Sequence, residues 1–254
     1  MQSPRYLEAL RSQQRHITSR GVLWVGLRCD MRCKFCYDER FDPTDKTWIR
    51  VDEAISALDK FRNHYQNVYV DFMGGEPTLH PRMLDNVQHA AKIGLRPTII
   101  THGMRLADLD RARRYAEAGI HDFLVSIHGI GDTVRAIHGR GNANFARQMQ
   151  ALDNLRALGI PFRFNCTLIR DNVAELEAIA ELAGEKGARV VNFLTFNPYF
   201  EWSNEGEIEF QAQHSVIAPF LARAIDKCSE LGVFYSENRK GKARTKILQR
   251  HQPN

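Results

Sequence analysis

No stretch of this 254-residue chain approaches the roughly 20 consecutive apolar residues of a membrane span. Its first twenty residues are polar and basic, without the apolar centre of a secretory signal. Both absences point to a cytoplasmic protein without a membrane partner. Cysteine is also scarce. There are five, an odd number: Cys29, Cys33 and Cys36 lie close together, whereas Cys166 and Cys228 stand alone, a poor basis for a disulfide framework. Charge bias is missing from most of the chain. The net charge of +5 is carried by residues 236–254, where six Lys or Arg face one Glu. A neutral body offers no continuous track for a polyanion, so nucleic acid is not the expected partner.

What the chain does have is a 43% hydrophobic content, enough for one sizeable core, and a hidden repeat. Glycine followed by a strand-like run recurs in "KIGLRPTII", "EAGIHDFLVSI", "ALGIPFRFNCTLI", "EKGARVVNFLTF" and "ELGVFY". Glycine suits the left-handed position that ends a helix, and β-branched and aromatic residues suit the strand that follows. Phe145, Met149, Leu152, Leu155 and Leu158 form a helical stripe, as do Val51, Ile55, Leu58 and Phe61. Pro81 suits a first helical turn. Strands are expected near 21–28, 67–73, 95–101, 120–127, 160–168 and 189–196, with helices between them.

Six βα units imply a parallel sheet whose apolar strands are buried on both faces. A full or partial (β/α) barrel leads, and a doubly wound open sheet is the alternative. Residues 21–235 are expected to form the domain, 1–20 a surface extension, and 236–254 a poorly ordered basic tail. A seventh unit begins over 207–231 and gives way after "VFY".

Cys29, Cys33 and Cys36 fall in "LRCDMRCKFCYDE", at the carboxyl end of the first expected strand, where α/β folds place active-site loops. Four readings compete. Structural zinc needs a fourth ligand that no second pair supplies. A redox pair of Cys33 and Cys36 leaves Cys29 unexplained. Three incidental core thiols sit badly in so polar a segment. Three thiolates on a four-iron cluster would leave one iron open for a substrate or cofactor.

The spacing Cys-x3-Cys-x-aromatic-Cys, with Phe35 as the aromatic, resembles the signature of the radical S-adenosylmethionine superfamily. Three more segments resemble family motifs, in family order and at successive strand ends: "GGEP" at 74–77, "THG" at 101–103 and "SIHG" at 126–129. The resemblance covers about residues 20–200 and implies a partial (β/α)6 barrel, one 4Fe-4S cluster held by Cys29, Cys33 and Cys36, and S-adenosylmethionine chelating the open iron. It also implies reductive cleavage to a 5′-deoxyadenosyl radical, hydrogen abstraction from a substrate, and an external electron donor such as flavodoxin or ferredoxin.

By that resemblance, Phe35 packs on the adenine, Gly74 and Gly75 let the backbone approach the ligand, and Glu76 meets the methionyl ammonium. Thr101, Ser126 and Arg140 are candidates for the cofactor's polar groups; for the two hydroxyls a helix cap or turn is the competing role. Asn165, polar within an apolar strand, is expected to face a polar barrel interior and the cofactor. His102 and His128 depart from the family's usual residues and are candidates for the substrate. So are Tyr199 and Trp202, in "NPYFEWSNEGE", which could instead plug an incomplete barrel.

No cysteine follows Cys228, so a second cluster is not expected. A small polar metabolite (a sugar, nucleoside or amino-acid derivative) is the first substrate class. Modification of RNA, through the basic tail, or of a peptide is the alternative, and a metal-stabilised binding module without catalysis is a third reading.

Overall fold

The structure, a computed structural model, describes residues 19–36, 47–138, 143–196, 210–239 and 242–244. It contains eight strands in one sheet: β1 Arg20–Trp24, β2 Tyr69–Met73, β3 Arg96–Thr101, β4 Asp122–Ser126, β5 Phe162–Leu168, β6 Val190–Thr195, β7 Phe234–Arg239 and β8 Lys242–Arg244. The helices are α1 Val51–Asn63, α2 Met83–Lys92, α3 Leu109–Glu117, α4 Asp132–His138, α5 Ala143–Ala157, α6 Leu176–Lys186 and α7 His214–Leu231.

The sheet runs β1 to β8 in sequential order. β1 to β7 are parallel, and β8 folds back antiparallel on β7. A doubly wound sheet reverses its strand order partway, and this sheet does not. It has the winding of a barrel, left open because no ladder among the described residues joins the last strands to β1. The partial (β/α) barrel is therefore correct.

The five repeat glycines, at 94, 119, 159, 187 and 232, all take positive φ. At Gly187 the cap N–H returns to the Ala183 and Gly184 carbonyls as α6 ends. The helical stripes also hold: Leu58, Leu152 and Leu155 are fully buried, and Met149 and Leu158 pack beside them. Pro81 sits just ahead of α2, whose cap is Arg82, rather than in its first turn.

Two expectations need correction. Burial on both faces holds over residues 97–99 of β3 but not along the sheet as a whole. Along β5, Phe162, Phe164, Cys166 and Leu168 are buried beneath the helices, whereas Arg163, Asn165 and Thr167 stay partly exposed on the other face. A barrel that does not close leaves its inner face accessible, and polar residues take it. The chain also continues as a strand past "VFY": β7 runs to Arg239, paired with β6 through Val190–Phe234 and Asn192–Ser236. At the amino end of the strands the interior is closed by charge. Arg20 pairs with Asp71, Arg163 reaches Asp122 at 2.6 Å, and Thr98 donates to Asp122 at 2.5 Å.

Candidate active site at the carboxyl ends of the strands

The cysteine loop leaves β1 and is held from two sides. Toward β2, the Gly75 N–H donates to the Gly26 carbonyl at 2.9 Å and the Glu76 N–H to the Arg28 carbonyl at 2.8 Å. A Cβ on Gly74, where φ is +132°, would lie 2.1 Å from the Gly26 oxygen. One on Gly75 would lie 2.4 Å from the Arg28 and Leu27 oxygens. Both glycines are thus demanded by the chain's own backbone, an approach not foreseen from sequence, where the ligand seemed reason enough. From the other side, the Arg32 and Lys34 N–H groups donate to the His138 and Ile137 carbonyls at the end of α4. None of Cys29, Cys33 and Cys36 is in a disulfide, and all are at least partly exposed.

Glu76 is only 1% exposed, and its charge is met by donors from three residues. One carboxylate oxygen accepts from the Thr78 N–H (3.0 Å), the Thr78 hydroxyl (2.5 Å) and the Thr101 hydroxyl (2.7 Å). The other accepts from the His102 N–H at 2.9 Å and lies 3.2 Å from His102 Nε2. Thr101 also accepts from the Gly103 N–H. Its hydroxyl therefore orients Glu76 and caps the following turn, the cap-like role weighed against ligand contact.

His102 Nε2 lies 2.7 Å from Asp30 Oδ1, and Nδ1 accepts from the Met104 N–H, so Nε2 carries the hydrogen. Burial opposes charge on this imidazole, but the carboxylates of Glu76 and Asp30 outweigh it and raise its pKa. The hydrogen bond from His102 correspondingly holds the Asp30 pKa down. His102 thus joins the cysteine loop to Glu76, a link that sequence reading missed because nothing marks Asp30 as its partner.

His128 is different. Its Nδ1 accepts from the Thr167 N–H at 3.1 Å, and its ring meets Phe35 edge-on with centroids 4.8 Å apart. Burial, and next the nearby His138, push its pKa down to about 3, so it stays neutral. Phe35 also lies 6.5 Å from Phe196. Two buried carboxamides brace these loops. Gln148 donates to the His102 and Ser126 carbonyls, and Asn172 to the His128 and Thr167 carbonyls.

Ser126 and Asn165 face the interior in direct register, and the same rung continues to Asn192 and Ser236. Ser236 donates to the Asn192 carboxamide oxygen at 2.5 Å. Asn192 was legible by the argument used for Asn165, a polar residue in the apolar run "VVNFLT". Ser236 was hidden by the basic sequence around it. Arg140, Tyr199 and Trp202 lie outside the described residues.

An open, singly wound barrel carrying three cysteines outside any disulfide on its first loop defines a class, and the comparisons agree. The Radical SAM superfamily model matches residues 25–183, and the chain belongs to that superfamily, whose members use a 4Fe-4S cluster and S-adenosylmethionine. Among curated proteins it is similar to the Fe-coproporphyrin III synthase of Methanosarcina barkeri (strain Fusaro / DSM 804), 28% identical over 65% of this chain and 41% of that protein. It is likewise similar to the PqqA peptide cyclase of Methylorubrum extorquens (strain PA1), 29% identical over 69% of this chain and 45% of that protein. The chain thus spans less than half the length of these relatives. Among solved structures, Streptococcus suis SuiB bound to its precursor peptide SuiA superposes with a TM-score of 0.70 at 14% identity, covering 92% of this chain and 52% of that one. Among the described residues, no helix is long and apolar enough to cross a membrane.

Proposed function

We propose that the protein is a radical S-adenosylmethionine enzyme that abstracts hydrogen from a neutral, polar substrate group admitted to the open barrel. The observation that carries this reading is the cysteine loop docked onto the Gly74–Glu76 loop at the carboxyl rim of the sheet. The donor set fits the cluster: three cysteines outside any disulfide on one partly exposed loop, with two chain segments fixing its backbone. When bound, cluster and S-adenosylmethionine supply a one-electron cleavage that yields the 5′-deoxyadenosyl radical. Cys29, Cys33 and Cys36 hold the cluster. The backbone of Gly74 and Gly75 would receive the methionyl ammonium, with the buried Glu76 carboxylate holding that loop behind them, and Phe35, Ser126 and Asn165 would face the remainder of the cofactor. An external donor such as flavodoxin or ferredoxin delivers the electron.

The substrate class rests on the interior rung, where two carboxamides and two hydroxyls carry no net charge. Arg163, two residues before Asn165 on the same strand face, is already paired with Asp122. A sugar, nucleoside or amino-acid derivative suits such a surface. A peptide is the second reading, favoured by the relatives described as PqqA peptide cyclases and by SuiB with its precursor peptide. Anaerobic reconstitution, reduction and a screen of both substrate classes for 5′-deoxyadenosine tests the proposal. Deuterium passing from a labelled substrate carbon into that product would establish the abstraction. If no candidate yields 5′-deoxyadenosine above the substrate-free level, the non-catalytic metal-binding module becomes the better reading.

A further inference from the structure

Outside the barrel, behind the loops that carry Glu76 and His102, lies a cavity of about 290 Å3 between the start of α2, the turn after β3 and α3. This is near the lower limit of the ~300–1,000 Å3 usual for small-molecule sites. Arg105, Arg111 and Arg114 line it together with Tyr115, Thr78 and His80, and no Asp or Glu does. Arg111 and Arg114 are three residues apart on α3 and therefore share a face; Arg105 reaches the cavity from the turn. None of the three guanidinium groups makes an ion pair or a hydrogen bond among the described residues; the Arg111 backbone N–H donates to Asp108 at 3.2 Å. Arg113 on the same helix, outside the cavity, pairs with Asp110 at 2.5 Å. The chain thus supplies a paired carboxylate for the solvent-side arginine and none in ion-pair contact with the three that converge, while Asp30 and Glu76 act on this region from farther off.

Tyr115 is only 2% exposed, yet its hydroxyl has no hydrogen-bond partner among the described residues. Burial first, and the Glu76 carboxylate second, push this phenol above its ordinary range. It stays protonated and can donate. The charges of Arg111, Arg114 and Arg105 act on the same hydroxyl in the opposite sense, so all three lie about it. The other polar walls are already engaged. The Thr78 hydroxyl donates to Glu76, while His80 Nε2 meets the Ile49 carbonyl at 3.1 Å and Nδ1 accepts from the Arg82 N–H at 3.0 Å.

We propose that this cavity is a binding site for a compact polyanion, of the phosphate or polycarboxylate type, held by Arg105, Arg111, Arg114 and the Tyr115 hydroxyl. Guanidinium groups match both anions through paired N–H donors. The concave form fits a small anion better than the flat acidic face of a partner protein. The site is separate from the cysteine loop, and binding there needs no cluster chemistry, so the proposal stands or falls independently of the reaction proposed above.

The test is calorimetric titration of the reconstituted 254-residue chain with inorganic phosphate, with tricarballylate in parallel and sodium chloride at matched ionic strength. The expected result is saturable one-site binding of one of the two anions, with Kd below about 1 mM. Either Arg111→Gln or Arg114→Gln should weaken it at least tenfold, and Arg113→Gln should leave it unchanged. Phosphate binding alone would make the natural ligand a phosphate compound; tricarballylate binding alone would make it a polycarboxylate. A rise in Tm with the bound anion, absent in Arg111→Gln, checks that the variant is folded and has lost only the site. Heats no larger than those of sodium chloride, or equal weakening by Arg113→Gln, would overturn the proposal, because diffuse surface charge would then explain the cavity.

Discussion

His102 and His128 end adjacent strands, β3 and β4, and both are nearly buried, at 7% and 5% exposure. Their surroundings are opposite. His102 stands between Asp30 and Glu76, which favour its charged form. His128 stands among Phe35, His138 and a backbone N–H, and is held neutral. The contrast marks the two histidines and the interior rung rather than every support of the rim: after β5, Glu175 accepts from the Ile130 N–H at 2.8 Å and the Thr133 hydroxyl at 2.5 Å, and Asp171 pairs with Lys34. From β1 to β3 the loops are built on a buried carboxylate, a histidine and closely apposed backbones. From β4 to β7 they present a buried neutral histidine and an uncharged rung. A zwitterionic methionyl group suits the first half, and a neutral substrate suits the second. Under the proposed function, cofactor and substrate would then meet different strand ends of one sheet.

The largest expected effect lies in the first half. Gly74→Ala would put a Cβ 2.1 Å from the Gly26 oxygen in a left-handed conformation. Overpacking and backbone strain together cost on the order of 4 kcal/mol. The variant should lose iron on reconstitution, and hydrogen exchange should show residues 27–36 released from the Gly74–Glu76 loop. Full iron content with native protection would mean that the two loops are not interdependent.

The second effect tests the neutral half. A buried histidine with its pKa lowered to about 3 favours the neutral ring in the folded state. Its stability is complete above the unfolded value near 6.5 and is lost as pH falls from there toward 3. The metal-free chain should therefore lose on the order of 3 kcal/mol of stability to this residue by pH 4, at about 1.4 kcal/mol per pH unit. His138, pushed down to about 4 by burial, steepens the same limb. Urea unfolding from pH 7 to pH 4 should show a shallower acid limb in His128→Gln. An identical slope would place His128 in contact with water.

How far the rim could be read beforehand follows the same division. The strand ends, the cysteine loop and the Gly-Gly-Glu segment were legible because local chemistry marks them: repeat glycines, thiol spacing and a polar turn. Asn165 was legible because a lone polar residue in an apolar strand needs an interior partner. The links across the chain were not. Asp30 and His102 are 72 residues apart in sequence, and the Gly74 contact joins two backbones whose sequences say nothing of each other. The inner face was misjudged because apolar outward residues dominate the strands and mask a polar alternation. The continuation of β7 past Tyr235 was missed because its residues read as a basic tail, while parallel pairing depends on its backbone.

A third, smaller effect sharpens the role of His102. Replacing it by Ala removes one donor from Glu76 and the only imidazole link to Asp30 among the described residues, at a cost of about 1–2 kcal/mol. Iron content should change little, and the stability loss should stay within that range. The Michaelis constant for S-adenosylmethionine should rise about tenfold, and the change in the reduced cluster's electron paramagnetic resonance on adding S-adenosylmethionine should weaken. His102→Asn, which keeps the backbone N–H bond to Glu76 and adds a side-chain amide donor, should recover part of both. If Ala and Asn behave alike, the imidazole is only filling space.

The smallest effect on stability, and the most specific, belongs to the neutral rung. Asn192 is half-buried and bonded to Ser236, so Asn192→Ala should change stability by less than about 1 kcal/mol. Its effect should instead fall on coupling. Substrate-free cleavage of S-adenosylmethionine should match wild type, because Glu76, His102 and the cysteines are untouched. Turnover of whichever substrate the screen identifies should drop at least tenfold, and less of its deuterium should reach 5′-deoxyadenosine. Equal loss in both reactions would place Asn192 with the cofactor and erase the boundary between the two halves of the rim. Selective loss would place Asn192 with the substrate, on the β4-to-β7 side of the boundary between the two histidines.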